Sequence, residues 1–170
     1  KGLLYDGAIY SYEFSQFTRR PVSGATIGTA TFPSSYSYCY NYGARVPDLA
    51  VYPSNGVLDP CGRTWLHSAE LTYSTSLPSP YPDVSLSGVV AIATNATRGL
   101  AAAPVGGLSY SPFPSSADNE IYFYASAHPA VYQGKFVIPD VAVNSSSYQA
   151  HARWLFFDSA GSRLFAIHQA

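Results

Sequence analysis

Charged residues are scarce in this chain: they make up 11% of its 170 residues, less than half of the quarter that is usual in globular proteins. Lys and Arg together number 9 and Asp and Glu 10, which leaves a formal net charge of −1, and no basic run occurs. Proteins that bind nucleic acid through its phosphates present clustered Lys and Arg, so this composition excludes that class. Apolar runs also fall short of the roughly 20 residues that cross a bilayer as a helix, and we expect no membrane span.

The sequence also lacks the local motifs of common catalytic and cofactor-binding sites. It has no Gly-X-Ser-X-Gly nucleophile elbow and no phosphate-cradling Gly loop, and its 4 histidines show no His-X-X-X-His spacing. The carboxylates are scattered mainly through turns, and nothing in the sequence pairs them as glycosidase chemistry requires. We therefore predict no catalytic residue, no metal site and no cofactor, and a protein that is not an enzyme.

Three features predict an exported, extracellular protein. Methionine is absent and the chain opens at Lys1, as after removal of a leader. Cys39 and Cys61 are an even pair that can close one disulfide across a polar, Pro-containing connection. Asn95 and Asn144 begin N-glycosylation sequons, Asn-Ala-Thr and Asn-Ser-Ser. The alternative is a truncated cytosolic chain whose two thiols are free and buried.

Alternation of apolar and polar residues dominates the chain, and helical periodicity is almost absent, which predicts an all-β fold. Pro and Gly, 13 of each, fall mostly between the alternating runs, as in a β-sandwich of immunoglobulin-like or jelly-roll-like type. We also expect the apolar but Pro- and Gly-broken segment 99–108 to be buried. The strand candidates are Ala8–Phe14, Tyr36–Tyr42, Trp65–Tyr73, Val84–Thr94, Ile121–Ser126, Lys135–Ile138, Ala152–Phe157 and Leu164–His168.

The last twenty residues predict a hairpin with a defined register. Its loop is Asp158–Ser162, with Gly161 able to adopt a left-handed conformation. Pairing Asp158 with Arg163 sets two apolar pairs on one face, namely Phe156 opposite Phe165 and Trp154 opposite Ile167. The other face, with Leu155, Phe157, Leu164 and Ala166, is apolar too. One face therefore meets the sandwich core, and the other is covered either by a loop of this chain or by a neighbouring subunit.

A row of tyrosines is the most unusual feature of the sequence. Tyr36, Tyr38, Tyr40 and Tyr42 fall on one side of a predicted strand, where alternate residues repeat at about 6.6 Å. Three interpretations stay open: an aromatic layer over a core edge, a platform on which sugar rings stack, or a seam between protein molecules.

The N-terminal residues 1–16 are expected to form an extended strand or arm ahead of a single β-sandwich domain, residues 17–170. The alternating segment from Gly2 to Phe14, one possible disulfide and a low-charge β-rich body resemble the subunits of extracellular filaments built by donor-strand complementation, such as bacterial chaperone–usher pili and archaeal thread-like fibres. This resemblance implies that the first strand completes a neighbour's sandwich. The donor-strand residues would be Leu3, Leu4, Ala8, Tyr10, Tyr12 and Phe14. A strand that pairs within its own sandwich is the alternative.

Together these observations predict a non-enzymatic structural protein, a subunit of an extracellular filament, pilus or surface layer. Its partners would be other copies of itself, joined through the N-terminal donor strand. Two alternatives stay open: a secreted carbohydrate-binding or adhesive module that uses the tyrosine row to bind glycans, and a viral coat protein. The absence of a basic arm that would neutralise a genome counts against the coat protein.

Overall fold

A computed structural model gives the structure of residues 2–13, 16–33, 49–52, 56–59, 61–68, 70–81, 89–104, 119–125, 127 and 129–169. Almost all secondary structure in these ranges is antiparallel β, and they hold no α-helix. The all-β, sandwich-like fold predicted from the alternation is therefore confirmed. Each described sheet pairs strands that are neighbours in the chain, as in a β-meander.

In the described residues, sixteen strands form three four-stranded sheets and two hairpins. The N-terminal sheet contains β1 (Gly2–Tyr5), β2 (Ala8–Glu13), β3 (Gln16–Ser23) and β4 (Thr26–Ile27). The second sheet contains β5 (Ala50–Tyr52), β6 (Gly56–Leu58), β7 (Arg63–Leu66) and β8 (Tyr73–Ser76). The third sheet contains β9 (Val89–Asn95), β10 (Gly99–Pro104), β11 (Glu120–Tyr124) and β12 (Tyr132–Val137). The small hairpin pairs β13 (Val141–Val143) with β14 (Ser146–Tyr148), and the C-terminal hairpin pairs β15 (His151–Phe157) with β16 (Leu164–Gln169).

Three hydrophobic clusters hold these sheets together as stacked layers. Tyr10 and Phe17 of the N-terminal sheet pack with Val57 and Trp65 of the second sheet. The second and third sheets share a cluster that includes Leu58 and Leu100 on facing strands. The far side of the third sheet packs against the C-terminal hairpin through small and aliphatic side chains, which are Ala91, Ala93, Ala101, Ala103, Ile121, Ala152 and Leu155.

The third sheet is an inner layer of the stack, between the second sheet and the C-terminal hairpin, and β10 is buried on both of its faces. Leu100 and Ala102 face the second sheet, whereas Ala101 and Ala103 face the C-terminal hairpin. All six residues of β10 are buried, which confirms the expected burial of the apolar segment for residues 99–104; residues 105–108 lie outside the described part. A strand covered on both faces has no polar side, which is why its sequence does not alternate.

Tyrosine supplies much of the core. Tyr10, Tyr52, Tyr122 and Tyr124 are fully buried or nearly so, and their hydroxyls reach partners at the edge of the core. The Tyr52 hydroxyl donates to the carbonyl of Ala127 (2.7 Å), and the Tyr124 hydroxyl donates to a carbonyl of the loop after β8 (3.0 Å). Burial raises the pKa of both phenols.

The N-terminal segment is a hairpin in this structure, not a single extended strand. Asp6 and Gly7 both adopt positive φ, 43° and 69°, the geometry of a two-residue type I′ turn, for which Asp-Gly is a preferred sequence. The turn reverses the chain so that β1 pairs with β2 in register, with Leu3 opposite Tyr10. β2 then pairs with β3 of the same chain. Exchange of this segment with a neighbour is not tested by a single chain and stays a prediction.

Other strand predictions differ in extent from the structure, among them Lys135–Ile138, where β12 begins three residues earlier at Tyr132. The run predicted as Trp65–Tyr73 divides into β7 and β8, because a turn after Leu66 places Leu71 at a φ of 48° and brings the Thr72 amide to the Ser68 hydroxyl (3.4 Å). The run predicted from Val84 is described only from Val89 onward. The tyrosine-row strand, residues 36–42, lies outside the described residues.

Candidate functional site

The C-terminal hairpin has the register predicted from the sequence. Trp154 lies opposite Ile167 and Phe156 opposite Phe165. The loop closes as expected, since Gly161 has a φ of 64° and the Asp158 amide donates to the carbonyl of Arg163 (3.0 Å). The two phenylalanine rings stack at 5.2 Å between centroids and 12° between planes.

The Asp158 side chain organises this loop from within. Its carboxylate accepts the backbone N–H (2.6 Å) and the hydroxyl (2.6 Å) of Ser162 and the backbone N–H of Arg163 (3.2 Å). The hydroxyl of Ser162 is the main cause that lowers the pKa of this carboxyl, assisted by the backbone N–H groups. The loop therefore has a fixed shape although it is on the surface.

Trp154, Phe156, Phe165 and Ile167 form an exposed apolar surface, which we call the hairpin face. Their exposed fractions are 54%, 47%, 43% and 50%. A single exposed apolar side chain is ordinary on a protein surface, whereas a contiguous exposed apolar patch is less common. Three aromatic side chains and one isoleucine lie side by side on one strand pair, which makes this surface the strongest candidate for a contact with another molecule.

The opposite side of the C-terminal hairpin is covered by the chain itself except at Ala166, which is exposed. Leu155 is buried against alanines of β9 and β10, and Phe157 and Leu164 pack at the margin of the same cluster. The loop is also fixed to the turn between β9 and β10, where the Arg98 guanidinium donates to the carbonyl of Gly161 (3.1 Å). The hairpin is therefore held rigidly, with one face inward and the hairpin face outward.

The residues predicted as a donor-strand interface are divided by the structure. Ala8 and Tyr10 are fully buried against the second sheet, and Leu3 packs beside them. Leu4 points to the other side of β1 and is 69% exposed. Tyr12 lies in β2, but its side chain and the whole of Phe14 lie outside the described part. The predicted alternation is thus present, and its apolar side packs against the same chain.

A polar contact that sequence reasoning missed links the N-terminal sheet to the second sheet. His67 lies just after β7; its Nε2 is 2.7 Å from Asp6 Oδ2, and its Nδ1 is hydrogen-bonded to the Tyr10 hydroxyl. The Tyr5 ring lies edge-on against the same imidazole at 5.4 Å. No sequence motif indicates this contact, because Asp6 and Tyr10 are about sixty residues away from His67 in the chain.

The structure describes only some of the other predicted site residues. Cys61 is buried and disulfide-bonded, while Cys39, the partner expected from the sequence, lies outside the described residues, as does the tyrosine row. Asn95 ends β9, and Asn144 lies in the turn between β13 and β14.

Asp59 is a buried carboxylate that connects β6 with β7. One oxygen accepts the backbone N–H groups of Cys61 (2.8 Å) and Arg63 (3.0 Å). The other accepts the Arg63 guanidinium (2.7 Å) and the Trp65 indole N–H (2.9 Å). Burial raises the pKa of the Asp59 carboxyl, and Arg63 and Trp65 oppose that effect. All four partners are donors, so this group is a structural acceptor and offers nothing to a substrate.

Glu120 is a second buried carboxylate, at the start of β11. It accepts the hydroxyls of Tyr81 (2.9 Å) and Tyr122 (2.9 Å) and forms an ion pair with Lys135. Burial, together with the adjacent Glu120, raises the pKa of the Tyr122 phenol, and the hydrogen bond to Glu120 raises the pKa of Lys135. Such pKa values keep the phenol neutral and the ammonium charged, so neither acts as a general base near neutral pH.

Within the part of the chain that the structure describes, no group of three or more His, Cys, Asp or Glu residues is placed to hold a metal ion. No helix of the described ranges is long and apolar enough to cross a membrane.

No protein-family model matches the chain, and no curated protein and no solved structure matches it either.

Proposed function

We propose that this chain is a non-enzymatic, exported structural protein that assembles with copies of itself into an extracellular filament or surface layer. The observation that carries the proposal is the hairpin face, an apolar surface held rigidly on an outer layer of the fold. The buried carboxylates of Asp59 and Glu120 accept hydrogen bonds from donors of the same chain. This supports a structural rather than a chemical role.

The area of the hairpin face fits a contact with a second copy. A large apolar side chain presents roughly 150–250 Å², so four that are about half exposed leave on the order of 400 Å². A stable interface takes about 800 Å² from each partner. Two hairpin faces meeting across a two-fold axis would therefore supply about half of what such an interface needs, as its apolar centre.

The outer edge of β16 also favours a second copy of this chain as the partner. In the described pairings β16 bonds to β15 alone, and Leu164–Gln169 contains no Lys, Pro or Gly. Lys and Pro are the residues with which monomeric proteins protect an edge strand against pairing with another chain. An edge without them, next to the hairpin face, is suited to strand pairing with a second copy.

Exchange of the N-terminal strands is the proposed second contact, and it would make the assembly open-ended. An exchanged element makes the same contacts in a neighbour that it makes in its own chain. Tyr10 would then occupy the neighbour's pocket beside Trp65 and His67 rather than its own. A head-to-tail exchange combined with the hairpin-face contact would propagate a fibre.

The decisive experiment compares two surface variants with the wild type by size-exclusion chromatography with light scattering and by negative-stain electron microscopy. Trp154→Thr/Phe165→Thr removes the centre of the hairpin face. Val143→Thr changes a residue of similar exposure, 48%, on the small hairpin. We expect oligomers or filaments for the wild type and Val143→Thr, and folded monomers for the double variant. Its unfolding temperature should fall by only about 2–4 °C per kcal/mol lost with the Phe156–Phe165 stack.

A wild-type protein that stays monomeric at all concentrations up to about 100 μM, above the micromolar range of ordinary weak association, would refute self-assembly. So would a folded double variant that assembles like the wild type. Monomers that bind immobilised polysaccharide would favour the carbohydrate-binding alternative instead.

A separate measurement tests the exchange. Assemblies grown from a mixture of ¹³C-labelled and ¹⁵N-labelled chains should give solid-state NMR contacts between Tyr10 of one label and His67 of the other. Contacts confined to chains of one label would eliminate the exchange and leave the hairpin-face contact standing.

A further inference from the structure

The two glycosylation sequons occupy very different environments. Asn144 and Ser145 form the two-residue turn between β13 and β14, with φ values of 47° and 69°. Asn144, Ser145 and Ser146 are all exposed. The whole sequon is therefore presented at the tip of a small surface hairpin.

The side chain of Asn95, in contrast, is part of the structure. Its Oδ1 accepts the backbone N–H groups of Thr97 (2.9 Å) and Arg98 (2.9 Å), which fixes the orientation of the amide and closes the turn after β9. The amide lies directly against Gly161 of the C-terminal hairpin loop. A Cβ at position 161 would come within 2.5 Å of Asn95 Nδ2 and 2.8 Å of its Cγ.

We propose that Asn144, and not Asn95, carries an N-linked glycan in the folded, exported protein. Glycan transfer forms a bond between the amide Nδ2 and the anomeric carbon of the sugar. It breaks the bond from that carbon to the phosphate of a lipid-linked sugar donor and releases one amide proton. The product places a sugar ring on Nδ2. At Asn144 that ring extends into solvent.

At Asn95 the sugar would lie beside Gly161, where the loop leaves no room for even a methyl group on that side of the amide. A glycan attached there before folding would keep the hairpin loop from docking on the turn after β9. That turn is also where Arg98 holds Gly161, so the C-terminal hairpin would lose its attachment. The inference requires export, as the proposed function does, but it does not depend on self-assembly.

The test uses the full chain, secreted from a eukaryotic host that glycosylates Asn-X-Ser/Thr. Ser146→Ala and Thr97→Ala break one sequon each while both asparagines stay. Thr97→Ala also keeps the backbone N–H that bonds to Asn95, and both altered side chains are exposed. Intact mass before and after peptide N-glycosidase treatment gives the number of glycans, and glycopeptide mass spectrometry gives their positions.

We expect one glycan on the wild type and on Thr97→Ala, located at Asn144, and none on Ser146→Ala. A secreted, folded wild type with a glycan at Asn95 would overturn the inference, and so would an unmodified Asn144. These readouts are masses of single chains, so a failure here leaves the assembly proposal untouched, and a failure of assembly leaves this inference untouched.

Discussion

Replacing Asp59 with Ala should be among the most destabilising single changes in this protein. The substitution removes the acceptor of four hydrogen bonds, two of which come from side chains of β7, Arg63 and Trp65. Removing one partner of a buried ion pair costs about 3–5 kcal/mol, because the other charge stays buried. We expect a loss of that size in the free energy of unfolding, a large share of the 5–15 kcal/mol that is typical of a whole domain.

The loss is measured by equilibrium urea unfolding followed by tryptophan fluorescence, with the disulfide kept oxidised. Asp140→Ala is the matched control: that carboxylate is exposed and accepts a bond of 3.3 Å from the Ser147 hydroxyl, so we expect a change within about 0.5 kcal/mol. Asp59→Asn should cost nearly as much as Asp59→Ala, since either orientation of the amide points its NH₂ group at two donors. A loss below about 1 kcal/mol for Asp59→Ala would refute the reasoning.

Two further predictions concern the C-terminal hairpin loop. Gly161→Ala should cost about 2–4 kcal/mol in urea unfolding, because a left-handed alanine costs roughly 1–2 kcal/mol and its methyl group displaces the hydrogen-bonded Asn95 amide. Gly24→Ala, at a similar φ of 58° but with open space around it, should show the conformational cost alone, and equal losses for the two variants would contradict the steric argument. The lowered pKa of Asp158 means that its support for the loop is complete above the ordinary pKa of a free Asp and is lost as pH falls through the lower folded value. The Ser162 amide resonance should therefore titrate with a midpoint below 3.8, and a midpoint at or above that value would contradict the contact.

The C-terminal hairpin was predictable from sequence because every contact that defines it is local. The loop residues Asp158 and Gly161 and the two aromatic or β-branched pairs all lie within the fourteen residues from Trp154 to Ile167. Alternation with period 2 leaves a single register that places all the apolar side chains of one face together. The all-β fold was predictable for a similar reason, because alternation and turn residues recur along most of the chain.

The N-terminal hairpin shows where such reasoning stops. Alternation in residues 8–13 is equally strong whether the strand pairs with its own chain or with a neighbour, so it identifies a strand and says nothing of its partner. The turn at Asp6-Gly7 was the available signal, and it predicts the short β1 that the alternation was too brief to indicate. β3 was not predicted, because its adjacent arginines and Pro21 count against a strand when this segment is considered alone.

The polar contacts between distant segments could not be predicted at all, because only the packing of the layers brings their members together. Asp6 meets His67 between the N-terminal and second sheets, and Glu120 meets Tyr81 across thirty-nine residues of sequence. An isolated carboxylate in a turn gives no sign of whether it will be solvated or surrounded by donors. Only the packing of one sheet on the next decides this, and sequence periodicity carries no information about it.

The same layering explains why the hairpin face matters more than its composition alone would indicate. β10 is as apolar as the C-terminal hairpin, yet both of its faces are covered, since it lies in an inner layer of the stack. The C-terminal hairpin lies at the end of the stack, where a soluble monomer would place polar residues on the outward side. This chain places Trp154, Phe156, Phe165 and Ile167 there instead. An outer layer with the composition of an inner one is the expected arrangement when a further layer, supplied by another molecule, completes the stack.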